Sequence, residues 1–180
     1  MNNKIKVISK HGGEMASKNY NDSGFDLRCV GYRRVLYGKL SKPIYFDESS
    51  SKFCIINPNE TMLLLTGIQL KLPSPTPIMA KGKLVAYWML ECQIRGRSGL
   101  SLKNDTNVKF GTGDNCYNGE YGVIFNNQGK KDFMVEEGDR IGQLVFNEVF
   151  KPTKELFETV DAFDEVSERG STGFGDSGIK

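Results

Sequence analysis

The residues best suited to chemistry in this sequence lie in one short run near its C-terminal end. Arg169-Gly170-Ser171-Thr172-Gly173-Phe174-Gly175-Asp176-Ser177-Gly178 combines one guanidinium, three hydroxyls, one aromatic ring and four glycines in ten residues. So little of it is apolar that it cannot repay the entropy of packing into a core. It does hold what a nucleoside triphosphate needs: a cation and backbone N–H groups for phosphate, glycines for close approach and a flat ring for a base. The expectation is an arm that orders on a ligand, with Phe174 as a lid.

The rest of the composition narrows that chemistry. The only histidine, His11, sits in the turn-like stretch His11-Gly12-Gly13-Glu14 and reads as a solvated loop residue rather than a general base. Ser-His-Asp, Cys-His and multi-histidine metal chemistry are thereby disfavoured, which leaves carboxylates, hydroxyls, cations and backbone. Cys29, Cys54, Cys92 and Cys116 form no C-x-x-C pair, so zinc and redox motifs find no support. A net charge of +2 is too small to suggest a nucleic-acid or membrane binder. Met1 to Val7 lacks the apolar run of a signal peptide and no segment approaches a membrane span. The expected location is intracellular, cytoplasmic or nuclear.

The elements that must position these groups read as short strands broken by turns. Ile5 and Val7 alternate with lysines, Phe25 and Leu27 with Asp26 and Arg28, and Ile68, Leu70 and Leu72 with Gln69 and Lys71; Tyr121, Val123 and Phe125 continue the pattern. Twenty glycines with so many short strands argue for an all-β fold, a barrel or jelly roll. Residues 31–53 and 73–91 read as long connections or added hairpins. Between Thr153 and Val166, Leu156, Val160 and Phe163 fall at helical spacing with Pro152 placed to open a helix.

Five motifs occur in order: Ser23-Gly24-Phe25-Asp26-Leu27, Gly96-Arg97-Ser98-Gly99-Leu100, the run from Gly111 to Gly119, Gly138-Asp139-Arg140-Ile141-Gly142-Gln143-Leu144, and the terminal arm. Any one is weak, but together, over residues 23 to 178, the sequence resembles the trimeric dUTPase family. That resemblance implies a jelly-roll-like β-barrel over residues 1–166 and a flexible glycine-rich arm over 167–180 that closes over a neighbour's pocket in a homotrimer. It implies hydrolysis of dUTP to dUMP and pyrophosphate with Mg²⁺, limiting uracil in DNA and supplying dUMP, with no nucleic-acid or membrane partner. It also implies a strand and an extended tether, rather than a helix, over 153–166.

The resemblance assigns roles residue by residue. Asp114 holds and activates the water that attacks the α-phosphorus, where the bland role is an Asx-turn. Tyr117 packs under the sugar and excludes a 2′-hydroxyl, and main-chain groups from Gly111 to Tyr117 read the uracil edge. Arg97, Ser98 and Gly99 contact phosphate, a task suited to a guanidinium beside a hydroxyl and a glycine-freed backbone. Gln143 lies near the α-phosphate, and Asp26 holds a water of the magnesium shell. Asp139 reads as structural, paired to an arginine. In the arm, Arg169 grips the γ-phosphate, Ser171, Gly173 and Ser177 add contacts, and Phe174 stacks on uracil.

Four positions depart from the family's habit. Gly113 replaces a branched apolar residue and is expected to loosen Asp114; Asn118 replaces an arginine. Thr172 replaces a glycine, and Asp176 brings a carboxylate toward a triphosphate. These departures keep a catalytically weak nucleotide-binding or regulatory paralogue open beside the hydrolase. A dCTP deaminase of the same fold is a further alternative, against which Asp114 in place of a glutamate and the Phe174 arm both speak.

Overall fold

The structure is a computed structural model that describes residues 4–163. Its strands, in chain order, are β1 Lys6–Ser9, β2 Met15–Ala16, β3 Phe25–Arg28, β4 Gly31–Leu36, β5 Lys39–Leu40, β6 Ile44–Tyr45, β7 Phe53–Ile56 and β8 Thr61–Lys71. There follow β9 Thr76–Ala80, β10 Lys83–Arg95, helix α1 Ser98–Asn104, β11 Thr106–Val108, β12 Gly111–Gly113, β13 Glu120–Asn127, β14 Phe133–Glu136 and β15 Arg140–Pro152. A single 3₁₀ turn at Lys154–Leu156 ends the regular structure.

Alternating sequence makes these strands half-buried. In β13, Tyr121, Val123, Phe125 and Asn127 turn inward, and Cys54 and Ile56 do the same in β7. Two sheets carry the fold. One runs β11-β13-β8-β4-β5 with β1 and β6 attached, the other β12-β10-β15-β3-β2 with β9 attached. The small β14–β7 pair stands apart from both. Phe46, Ile56, Met62, Leu64, Val123 and Phe125 are fully buried in a common core with Leu27, Ile141 and Leu144. The architecture is all-β and jelly-roll-like, as the strand pattern predicts.

The stretches 31–53 and 73–91 are hairpins built into the sheets. β4 and β5 turn at Tyr37-Gly38 (φ 50° and 76°), and β9 and β10 turn at Lys81-Gly82 (φ 48° and 77°). Two successive left-handed residues match the twist of tight antiparallel hairpins. The segment after β15 does not form the helix that the spacing suggests; 157–163 are irregular, as a tether would be, without the expected strand, and 164–166 lie outside the described residues. Only Lys154–Leu156 is helical, as 3₁₀, and no strand follows it among the described residues. Leu156, Val160 and Phe163 have the spacing of a helix, but they stay 49%, 50% and 84% exposed. Without a surface to bury that stripe, a short helix has little to stabilise it. Among the described residues no helix is long and apolar enough to cross a membrane.

Candidate active site

Three adjacent strands, β10, β15 and β3, bring together side chains distant in sequence. Gln143 on β15 stands opposite Arg95 of β10 on one side and Asp26 of β3 on the other. Asp26, with a side chain 14% exposed, meets Arg97 Nε at 3.2 Å through Oδ1 and Arg140 Nη1 at 3.0 Å through Oδ2. Arg97 Nη1 also donates to the Arg140 carbonyl at 3.3 Å. Arg97 caps the start of α1, which places Ser98 and Gly99 in its exposed first turn. Their N–H groups have no intrahelical acceptor, as at any helix start. The result is a cationic ridge, with a half-buried carboxylate fixing its two guanidiniums.

Across β10, strand β12 pairs through Cys92↔Gly113, Gln93↔Thr112 and Ile94↔Gly111. It leads into the turn that holds Asp114, where the Tyr117 N–H donates to the Asp114 carbonyl at 2.9 Å. A cleft of about 190 Å³ opens here, lined by Ile94, Gly111, Thr112, Gly113, Asp114, Tyr117, Glu120, Tyr121 and Gly122. Asp114 is exposed at its edge. Among the described residues no hydrogen bond or ion pair joins the Asp114 carboxylate to Asp26, Arg97 or Gln143. The pairing β12-β10-β15-β3 nevertheless sets both groups on one sheet. Gly111, Asp114 and Tyr117 thus line one cleft, while Asp26 meets Arg97 and stands in register with Gln143. Arg169, Ser171, Gly173, Phe174 and Ser177 lie outside the described residues.

Tyr117 folds back on its own hairpin. Its hydroxyl donates to the Glu120 carbonyl at 2.9 Å, and its ring meets Tyr121 edge-on with centroids 5.2 Å apart. Gly119 makes this possible, because a β-carbon there would stand 2.4 Å from the Tyr117 hydroxyl. Tyr117 remains 44% exposed.

Sequence reasoning misses two residues that hold this hairpin. Asn115 Nδ2 donates to the carbonyls of Pro73 and Leu90, each at 3.0 Å, and ties the turn to β10. Glu120 accepts from the Gly67 N–H at 2.7 Å and from the Tyr45 hydroxyl at 2.7 Å. Gly67 (φ 68°) sits at the bulge where β8 and β13 shift register. Burial, reinforced by that bond to Glu120, pushes the Tyr45 phenol up to about 12. No local motif announces either contact.

Two expectations change. His11 is not a solvated residue: it stacks on Tyr45 with ring centroids 3.6 Å apart, and its Nδ1 lies 3.0 Å from Asp47 Oδ2. Asp139 is structural, but its carboxylate accepts from the Glu136 N–H at 2.9 Å and pairs with no arginine among the described residues. A larger cleft of about 520 Å³ lies beside the β9–β10 hairpin, lined by Pro73, Ser74, Thr76, Trp88, Met89, Leu90 and Glu148. Among the described residues its lining includes no motif residue and a single titratable group, so the candidate site is the smaller cleft.

Comparison with known proteins gives a consistent result. A family model described as dUTPase matches residues 39–178. The deoxyuridine 5′-triphosphate nucleotidohydrolase of Clostridium tetani is 41% identical over 134 residues, covering 73% of this chain and 80% of that protein. The protein of the same name from Orientia tsutsugamushi is 35% identical over 179 residues, 98% of each chain. Among solved structures, a Staphylococcus bacteriophage 80alpha dUTPase with dUpNHpp aligns at TM-score 0.69 and 21% identity over 98% of this chain and 99% of that one. A dUTPase from phage phi11 of S. aureus, whose structure concerns a structural Mg(II) ion, aligns at TM-score 0.62 and 16% identity over 91% of this chain and 100% of that one. At such identities the structural likeness concerns the fold.

Proposed function

Since this chain belongs to the dUTPase family, we propose that it hydrolyses dUTP to dUMP and pyrophosphate, removing a source of uracil in DNA and supplying dUMP. The observation that carries the reading is the glycine-lined cleft with Asp114 at its edge and Tyr117 along its wall, on the same sheet as the Arg97–Asp26–Arg140 ridge. An exposed carboxylate at the edge of the cleft suits orientation of a water. The two guanidiniums held by Asp26 on that sheet suit a triphosphate.

In the reaction, Asp114 holds a water and takes its proton as the oxygen forms a bond to the α-phosphorus. The α–β bridging oxygen leaves with pyrophosphate. Backbone groups from Gly111 to Tyr117 read the uracil edge, and a cytosine would leave buried donors and acceptors mismatched at about 1–3 kcal/mol each. Tyr117 lies under the sugar and excludes a 2′-hydroxyl. Arg97, Ser98 and Gly99 receive phosphate oxygens, and Gln143 stands near the α-phosphate.

Asp26 suits magnesium through water and not by direct ligation. It is an oxygen donor, but both its oxygens already face guanidiniums, and Mg²⁺ keeps its waters and rides on phosphates. When bound, the ion neutralises phosphate charge. A cleft of about 190 Å³ is smaller than the roughly 300–1,000 Å³ of complete ligand pockets, which supports a site finished by other elements. We assign that part to the arm, residues 167–180, closing over the body formed by residues 1–166 of another subunit in a homotrimer. Arg169 meets the γ-phosphate, Ser171, Gly173 and Ser177 add contacts, and Phe174 stacks on the base.

The test is to incubate the protein with Mg²⁺ and each deoxynucleoside triphosphate, following pyrophosphate and ammonia. Pyrophosphate from dUTP alone is the expected result. Ammonia from dCTP, or tight dUTP binding without turnover, would overturn it.

A further inference from the structure

Gly113 precedes Asp114 and stands opposite Cys92 in the β12–β10 pairing. A β-carbon at Gly113 would lie 2.5 Å from Tyr121 Cε1, 2.6 Å from the Cys92 sulfur and 2.9 Å from the Tyr121 hydroxyl. Carbon atoms do not approach so closely, and neither obstacle is free to swing away. Cys92 is fully buried and Tyr121 only 3% exposed, and the Tyr121 carbonyl is held by the Thr66 hydroxyl. Gly113 is also not among the residues at positive φ. Glycine is needed here for close approach and not for a turn.

Tyr121 itself is costly. Its buried hydroxyl has no oxygen or nitrogen partner among the described residues and only the Cys92 thiol, a weak one, beside it, and such a group requires an explanation. The ring supplies one by its position. It touches the space in front of Gly113, the residue before Asp114, and meets Tyr117 edge-on. One rigid side chain therefore contacts both ends of the turn that carries Asp114 and Tyr117.

We infer that Tyr121 is a positioning residue: its ring occupies the volume that a side chain at 113 would take, seats β12 against Cys92, and so sets where Asp114 and Tyr117 stand. The inference rests on the roles proposed above for those two residues. It reverses the expectation that Gly113 loosens Asp114, because the missing side chain is replaced from across the fold. Tyr121 touches no reacting atom and acts through the hairpin. Size at 113 and size at 121 are then coupled: a ring at 121 demands glycine at 113, and a small residue at 121 admits a branched one.

The test is a cycle of wild type, Gly113→Val, Tyr121→Val and the double variant. It measures kcat and KM for dUTP, with active sites counted by dUpNHpp binding and melting followed in parallel. We expect each single variant to lose about tenfold or more in kcat per active site, and the double variant to regain about tenfold over Gly113→Val. Tyr121→Phe, which keeps the ring, recovers the rate lost in Tyr121→Val. Losses that simply multiply in the double variant would overturn the inference. So would a Tyr121→Phe variant as slow as Tyr121→Val, which would assign the work to the hydroxyl. If a valine variant does not fold, Gly113→Ala with Tyr121→Leu forms the milder cycle, read the same way. A wild type that does not hydrolyse dUTP refutes the functional reading, and this inference with it. An active wild type with additive losses refutes the positioning role alone.

Discussion

Replacing Asn115 with alanine should slow the enzyme without unfolding it. Its amide makes two hydrogen bonds, to the Pro73 and Leu90 carbonyls, each at 3.0 Å. A buried or half-buried bond of this kind is worth about 0.5–1.5 kcal/mol net, so the pair contributes roughly 2 kcal/mol. A domain stable by only about 5 kcal/mol would keep about 3 after that loss, with over ~99% still folded. Global unfolding therefore cannot reduce the rate measurably. The hairpin can, because 2 kcal/mol lost locally shifts its docked fraction by up to about thirtyfold. Urea unfolding should report a loss near 2 kcal/mol, and kcat/KM for dUTP should fall between about three- and thirtyfold. Asn115→Asp, which keeps the shape but aims a carboxylate at two carbonyls, should be worse on both measures. Unfolding within about 0.5 kcal/mol of wild type, together with kcat/KM within about twofold, would show that Asn115 does not hold the hairpin.

Three further outcomes follow from the geometry. Gly119→Ala puts a β-carbon 2.4 Å from the Tyr117 hydroxyl. That hydroxyl is the far end of a half-exposed side chain, so the ring should swing away: KM for dUTP rises about tenfold or more while the melting temperature moves little, and an unchanged KM would contradict Tyr117 as the sugar platform. Stability should fall above about pH 9, because burial raises the Cys54 thiol, and burial with the bond to Glu120 raises the Tyr45 phenol, each to about 12. Both are held neutral in the fold, so their contribution is complete below their ordinary values near 9 and 10 and is lost as pH rises toward 12. Urea midpoints that stay flat from about pH 8 to 11 would refute this, and Tyr45→Phe should remove part of the slope. Removing residues 169–180 should abolish most turnover while leaving the urea midpoint unchanged, and unaltered kinetics would count against the arm as a lid.

Local alternation made much of this fold legible. Phe25–Arg28 forms β3 as its pattern predicts, and the alternation at Ile68–Lys71 and at Tyr121–Phe125 falls within β8 and β13. The glycine-flanked hairpin around Asp114 likewise lines a cleft. Long-range contacts stayed hidden because their partners are set by topology. Asn115 finds Pro73 across 42 residues, Glu120 finds Tyr45 across 75, and His11 finds Asp47 across 36. The helical spacing after Thr153 builds no α-helix for the opposite reason: the pattern exists, but its apolar face meets no core. Helix α1 went unread because it buries no residue and so leaves no periodic stripe in the sequence. Gly113 could not be interpreted from its neighbours, since what fills its space comes from β13 and β10.

The most direct test of the account is Asp114→Asn, assayed for pyrophosphate release from dUTP and for affinity toward dUpNHpp on the same preparation. Asparagine keeps the size and the turn while removing the charge that takes a proton from water. The account predicts a turnover loss of about a thousandfold or more, with affinity for the analogue within about threefold of wild type. A variant that releases pyrophosphate at close to the wild-type rate would contradict it.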